Sequence, residues 1–278
     1  MSENPFEALS APTGEERDGT AAEKAFRSEK PQRVKRFYRG ASASANEAGD
    51  FVVLLDSRPL RTPGKAIVRL PTESLAALVA AEWEAQAVEV DPATMPLTRL
   101  VNAAIDGVEG NVAPVRDEMI RYAGSDLLCY RADEPEGLVA MQMAAWDPIL
   151  AWAETALGAR FVLAAGVMPV EQSEGAIAAV DRALPQAPAL LVAALQSLTT
   201  LTGSVLVTLA LHHGRIGFDE AWNAAHIDED WNIRLWGADR EAAERRRFRE
   251  AEARAAAAVV TSLRGNAQGS GKTRAAGE

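Results

Sequence analysis

The stretch Phe51-Val52-Val53-Leu54-Leu55-Asp56-Ser57-Arg58-Pro59-Leu60-Arg61-Thr62-Pro63-Gly64-Lys65-Ala66-Ile67-Val68-Arg69-Leu70 sets the fold class of this chain. Large and β-branched apolar residues fill Phe51–Leu55, recur at Leu60 and return at Ile67–Leu70, a composition that suits pleated, half-buried strands. Between them, Asp56-Ser57-Arg58 and Pro63-Gly64-Lys65 carry turn chemistry. Asp tolerates a left-handed backbone, Pro presets φ, and Gly follows it without steric cost. Upstream, Lys35-Arg36-Phe37-Tyr38-Arg39 reads as a further strand, and Asn46-Glu47-Ala48-Gly49-Asp50 as the loop after it. The segment is therefore expected to form a small antiparallel β module over residues 33–71, continuing into helices to about residue 110.

From Thr72 onward the apolar spacing changes to that of helices. Thr72 is placed to cap a helix to about Gln86 that carries Leu75, Leu78, Val79, Glu82 and Trp83. Pro96 suits the first residue of a helix reaching Asp106, and Asn111 the cap of one over 113–123. Further helices are expected over 138–157, 173–183, 187–212, 218–236 and 240–263, with Gly237 and Asp239 as a stop and a restart. The fold class is α+β: a small N-terminal antiparallel β domain followed by a larger all-α C-terminal domain over 111–263. Residues 1–32 are polar and poor in aromatics, so they are expected to be disordered, and 264–278 to be a flexible tail.

Composition removes several function classes. The chain has 278 residues, 48% of them hydrophobic and 24% charged, which matches ordinary globular proteins. A net charge of −10 disfavours non-specific binding to nucleic acid or to anionic membranes. Cys129 is the only cysteine, so there is neither a disulfide framework nor a cysteine-based zinc site. The N-terminus lacks an apolar signal core and carries many acids. These features place the chain in a bacterial cytoplasm, or in the mitochondrial matrix for a eukaryotic homologue whose transit peptide has been removed. Ala189–Leu211 is free of charge and long enough to cross a bilayer, but Gln196, Ser197, Thr199, Thr200, Thr202, Gly203, Ser204 and Thr208 dilute it. It reads as a buried central helix, with no stable membrane insertion.

No catalytic constellation emerges. Gly269-Ser270-Gly271-Lys272-Thr273 resembles a phosphate-binding loop, but Asn266 occupies the position of the required first glycine and no strand precedes the run. His212 and His213 are neighbours whose side chains would point about 100° apart on a helix and cannot easily share a metal ion. No nucleophile, base and orienting group converge in the sequence. The expectation is a protein that is not an enzyme and holds no cofactor or metal.

Interaction surface is the better-supported theme. Asp228-Glu229-Asp230-Trp231-Asn232-Ile233-Arg234-Leu235-Trp236-Gly237 packs three carboxylates and two tryptophans into ten residues. On one continuous helix, Trp222, Ile233 and Trp236 share a face with Glu229 among them, while Ile227, Trp231 and Leu235 share the opposite face. Two apolar faces suit a helix buried on one side and offered to a partner on the other. The expectation is that Trp222, Ile233 and Trp236 pack inward and that Trp231, Leu235 and the nearby acids Asp228 and Asp230 meet the partner, with Glu229 orienting the helix through a buried partner. Arg58, Arg61, Lys65 and Arg69 form a basic cluster that suits either an anion-docking site or solvated turns. Trp83 shares a helical face with Val79 and suits either the core or a partner, and Arg99 and Asn102 suit either a partner or the fold itself; Arg58, Arg61, Trp83, Arg99 and Asn102 join the candidate partner-binding residues.

Seven segments, in order, carry a family resemblance. They are Phe37-Tyr38, Leu55-Asp56-Ser57-Arg58-Pro59-Leu60-Arg61-Thr62-Pro63, Ala81-Glu82-Trp83-Glu84-Ala85-Gln86, Met95-Pro96-Leu97-Thr98-Arg99-Leu100-Val101-Asn102, Leu128-Cys129-Tyr130-Arg131, Trp146-Asp147-Pro148, and Glu229-Asp230-Trp231-Asn232 with Trp236-Gly237. Together, over residues 34–260, they resemble the assembly chaperones of the ATP synthase catalytic head that bind its alpha subunit. The resemblance implies a β domain joined to a helical domain; a monomer when free is a separate expectation. It implies binding of the unassembled alpha subunit until the beta subunit replaces it, without ATP hydrolysis by the chaperone. One departure is that the family often has a Tyr-Gln pair where this chain has Trp231-Asn232. Two other readings stay open at this level: a hydrolase or transferase acting on an anionic metabolite through the Arg cluster, and an adaptor for another respiratory complex. A deep pocket lined by Arg58, Arg61 and Arg99 would favour the enzyme, and a broad aromatic patch the chaperone.

Overall fold

Strand β1 (Ala41–Ala45) turns through Asn46–Asp50 into β2 (Phe51–Leu55), pairing Ala41 with Leu55 and Ala45 with Phe51. This computed structural model describes residues 34–165 and 170–274, with side chains as far as residue 264. The expected disordered stretch 1–32 lies outside the described residues, as do the last residues of the expected tail. β3 (Arg58–Pro59) returns along Leu54 and Leu55, and β4 (Arg69–Leu70) pairs with Phe51 and Val52. Asp56 makes the turn between β2 and β3 at a φ of 55°, and its Oδ1 accepts hydrogen bonds from the backbone N–H groups of Arg39 (2.9 Å) and Gly40 (3.1 Å). Asp is among the few residues that adopt this conformation readily. The antiparallel module is as expected, but its first long strand is Ala41–Ala45 rather than 35–39. Alanine and serine give a weak strand signal, and only the pairing with Phe51–Leu55 defines the element.

The helical part begins with α1 (Glu73–Glu84), whose Thr72 side chain accepts from the Leu75 N–H. α2 (Pro96–Ala103) and α3 (Val112–Tyr122) follow. Next come α4 (Glu136–Trp152), α5 (Glu174–Ala183), α6 (Ala189–Thr202) and α7 (Val205–His212). Last are α8 (Phe218–Ala225), α9 (Ile227–Trp236) and α10 (Arg240–Arg274). Asn111 does not cap α3 through its side chain; its amide instead donates to the Gly107 carbonyl. The restart at Asp239 is as read, with its Oδ1 accepting from the Ala242 N–H at 2.7 Å. α10 continues past residue 263 and carries the Gly269–Thr273 run in its backbone, so that run is helical and not a phosphate-binding loop.

Two expected single helices are pairs. The span 187–212 breaks at Gly203, which takes a φ of +67°, and Ser204 restarts it by capping the Val207 N–H. The span 218–236 breaks at His226, whose Nδ1 hydrogen-bonds the Trp222 carbonyl at 2.8 Å. α6 and α7 are lined by buried Leu, Val and Ala and lie in the core. Among the described residues, no helix is long and apolar enough to cross a membrane.

One hydrophobic core runs from Tyr38, Val53 and Leu70 of the sheet region through Leu75 and Val79 of α1 to Leu198, Leu209 and Val260 of the helices. Trp146 lies fully buried within it, donating its indole N–H to the Ala224 carbonyl at 2.7 Å. Arg131 stacks on the Trp146 ring and pairs with Asp147 at 2.7 Å. α10 packs along α6, and its Ala253, Ala256, Val259 and Val260 are buried in the core.

Candidate partner-binding surface

α9 leaves the core as it runs. Ile227 at its start is buried, whereas Leu235 is 55% and Trp236 83% exposed at its end. Three contacts seat one side of it on α4. The Asp228 carboxylate accepts from the Gln142 amide at 2.8 Å. The Trp231 ring lies over Gly137, close enough that a Cβ built there would sit 2.7 Å from the indole. The Arg234 guanidinium reaches the Met141 sulfur at 3.4 Å. Its acids then reach α10: Glu229 pairs with Arg249 at 3.1 Å, and Asp230 pairs with Arg246. The Asp230 carboxylate raises the Arg246 pKa above its ordinary value. Such half-exposed pairs stabilise by roughly 0–1 kcal/mol each, so they orient α9 more than they hold it. Glu229, Arg245, Phe248 and Arg249 line a shallow hollow of about 490 Å³.

This arrangement corrects the expected facing of the helix. Trp222 is buried as expected, but Trp236 points to solvent and Trp231 is half-buried on α4. The break at His226 explains the difference. Trp222 belongs to α8 and Trp236 to α9, so a rotation of about 100° per residue cannot be carried across. The partner of Glu229 is Arg249, whose side chain is 43% exposed rather than buried.

α10 extends the surface toward α2. Arg99 pairs with Glu252 at 2.7 Å, and its guanidinium lies 5.1 Å from the Phe248 ring centre, a cation–π contact. Phe248 is 41% exposed. Glu229 of α9 and Arg99 of α2 are thus both tied to α10, the first through Arg249 and the second through Glu252 and Phe248. Asn102, one turn on from Arg99, keeps a buried Oδ1 without a hydrogen-bond partner among the described residues.

Arg58, Arg61 and Trp83 lie elsewhere, around a groove of about 780 Å³ beside the β2–β3 turn. Phe37 and Tyr38 complete its aromatic wall: Tyr38 meets Phe37 and Trp83 edge-on, with ring centres 5.3 and 5.6 Å apart. The Tyr38 hydroxyl donates to the Trp83 carbonyl at 2.6 Å. Arg99 lines a different hollow, with Gln196, Thr200 and Glu252. The structure therefore does not bring Arg58, Arg61 and Arg99 into one pocket.

Three groups have structural roles that sequence reasoning did not find. Glu82 accepts hydrogen bonds from the Leu97 and Thr98 N–H groups and from the Thr98 hydroxyl, at 2.7–2.8 Å. It thereby caps α2 from outside that helix. Asp126 is fully buried and does the same for α7, accepting from the Ser204 hydroxyl at 2.7 Å and the Leu206 N–H at 3.1 Å. Burial pushes its carboxyl up to about 6 against those hydrogen bonds. Gln142 is buried and bridges Asp228 to the Ala132 N–H. Asp126 also accepts from the nearby Leu128 N–H, but the partners that give these three residues their roles belong to elements other than their own. Burial lowers His212 to about 4 and raises the Cys129 thiol to about 12, so neither is charged near neutral pH. Among the described residues, no cluster of His, Cys, Asp and Glu could hold a metal ion.

Exposed aromatic and aliphatic side chains beside ion-paired carboxylates have the chemistry of surfaces that suit contact with another protein. Comparison with known proteins agrees. The model of the family described as ATP12 chaperone protein matches residues 35–154. The crystal structure of Atp12 from Paracoccus denitrificans is 39% identical, with a TM-score of 0.74, covering 82% of this chain and 97% of that one. An Agrobacterium tumefaciens crystal structure, described as a candidate chaperone, is 47% identical with a TM-score of 0.78, covering 82% of this chain and 86% of that one. The mitochondrial protein atp12 of Schizosaccharomyces pombe is 24% identical over 222 residues, 76% of each chain. The chain belongs to the Atp12 family of ATP synthase assembly chaperones.

Proposed function

We propose that this protein holds the unassembled alpha subunit of the ATP synthase catalytic head and shields its apolar interface until the beta subunit takes its place. The observation that carries this reading is the exposed end of α9. Leu235 and Trp236 are 55% and 83% exposed beside the Glu229–Arg249 and Asp230–Arg246 pairs. A subunit waiting for its neighbour exposes apolar area. Aromatic rings cover such area at low entropic cost, and flanking charges orient the contact and favour release. Asp228 and Trp231 support the surface from its α4 side, and Arg99 and Asn102 extend it past Phe248. A cytoplasmic or matrix location and a free monomer belong to the same proposal.

The test is capture of purified alpha subunit by the intact protein, by Trp236→Ala and Glu229→Lys, and by Trp231→Ala. Each variant is first checked for an unchanged circular dichroism spectrum. Weakened capture by Trp236→Ala and Glu229→Lys is expected. Undiminished capture by all three would overturn the assignment of this surface.

A further inference from the structure

We propose that the groove beside the β2–β3 turn is a second docking site, separate from α9, that takes an acidic peptide segment carrying aromatic or aliphatic side chains. Three observations meet there. The first is shape and lining: a groove of about 780 Å³ walled by Phe37, Tyr38 and Trp83, with Phe37 66% exposed. Phe37 extends the aromatic wall into solvent, where it gives a passing peptide apolar contact.

The second is charge. This is an acidic chain of net charge −10, and many of its arginines are ion-paired: Arg36, Arg99, Arg116, Arg131, Arg246, Arg249 and Arg254 each have a carboxylate partner. The Arg58 side chain makes no hydrogen bond or ion pair among the described residues, and the Arg61 guanidinium donates only to the Lys65 carbonyl. Both are exposed on the rim of the groove. The one carboxylate in the lining, Asp56, is engaged by two backbone N–H groups. The rim therefore presents two guanidinium groups with free donors, the geometry that suits carboxylates.

The third is rigidity. Tyr38 is fixed by its hydroxyl on the Trp83 carbonyl and by Arg36 stacked 4.7 Å from its ring centre. Arg36 is itself tied to the carbonyls of Glu84, Gln86 and Arg39. The wall is therefore preformed, which lowers the entropic cost of binding. A small anionic metabolite would use the arginines but leave the aromatic wall uncovered, so the combined chemistry favours a peptide.

The test uses no ATP synthase subunit, so it succeeds or fails independently of the proposed client. Full-length protein is used to select from a displayed library of short random peptides, and a selected peptide is then labelled for anisotropy titration. The expected result is selection of peptides rich in Asp and Glu next to aromatic or aliphatic residues. Arg58→Glu with Arg61→Glu should weaken binding about tenfold or more, as should replacing the peptide acids with their amides. Phe37→Ala should weaken it severalfold without altering the fold, since that side chain is exposed. Selected peptides without acidic enrichment, or equal binding by the double variant, would overturn the proposal. Binding of inorganic phosphate at this rim with no peptide selected would overturn it too, in favour of a small-anion pocket.

Discussion

The Glu82 carboxylate closes the N-terminus of the helix that carries Thr98, taking the Thr98 backbone N–H and hydroxyl on the same oxygen, Oε2, at 2.7 Å. Its other oxygen takes the Leu97 N–H at 2.8 Å. Two otherwise unsatisfied helix donors are thus met by an anion at the positive end of the helix dipole. α2 begins with Pro96 and has no side-chain cap of its own, so the cap must come from α1. Glu82→Ala is expected to destabilise the protein by about 2 kcal/mol, and Glu82→Gln by less, because the amide keeps one acceptor. Urea unfolding followed by circular dichroism measures both, and equal loss in the two variants would contradict the charge contribution.

Gly137 is the floor on which Trp231 rests. A methyl group there would lie 2.7 Å from the indole, well inside contact distance. Gly137→Ala should therefore push the indole off α4. The helical preference of alanine, worth about 1 kcal/mol over glycine, would mask part of the cost. The decisive experiment is a double-mutant cycle with Trp231→Phe, whose smaller ring leaves room for the methyl. Gly137→Ala should be less favourable in the parent protein than in the Trp231→Phe background, by about 1 kcal/mol. Independent, additive effects would show that the contact does not restrict Trp231.

Much of the fold is legible in local pattern, because most elements announce themselves through neighbours in sequence. Thr72 and Asp239 cap the helices they precede, and Phe51–Leu55 has the β-branched and aromatic content of a strand. The failures share one cause. Ala41–Ala45 has little strand character of its own, and the helix phase that would turn Trp236 inward is interrupted at His226. The candidate site is legible as a set of residues but not as an arrangement. Glu229 and Asp230 stand out in the sequence, but Arg246 and Arg249, which hold them, lie on the next helix. Arg58 and Arg99 look alike as free cations; only tertiary structure shows Arg99 paired with Glu252 and Arg58 left at a groove rim. Glu82 and Asp126 act on helices other than their own, which no local pattern can encode.

Asp126 gives the protein a distinctive pH response. Burial raises its carboxyl from the ordinary 3.8 to about 6, so the folded state holds this proton more tightly than the unfolded state does. Its contribution to stability is therefore fully present below pH 3.8 and is lost as pH rises through about 6. Over the full range this amounts to about 3 kcal/mol. Asp126→Asn removes the titration, and any fixed cost of the amide beside the Leu206 N–H does not vary with pH. The stability advantage of the wild-type protein over the variant should shrink by about 1 kcal/mol between about pH 5 and about pH 7.5. Urea unfolding at the two pH values checks this, and a gap that stays constant or widens with pH would refute it.

The ion pair between Glu229 and Arg249 separates an orienting role from a direct one. If its main task is to hold α9 so that Leu235 and Trp236 face outward, its polarity should matter less than its presence. Glu229→Arg alone places two cations together and should weaken capture of the alpha subunit about tenfold, with little loss of stability because the pair is half exposed. Adding Arg249→Glu restores an opposite-charge pair with reversed polarity and should recover most of the lost affinity. Were Glu229 instead to contact the client directly, the double reversal would remain as weak as the single one. Titration of purified alpha subunit against the two variants and the parent protein distinguishes the cases. Recovery in the double variant is the result that the geometry of α9 and α10 leads us to expect.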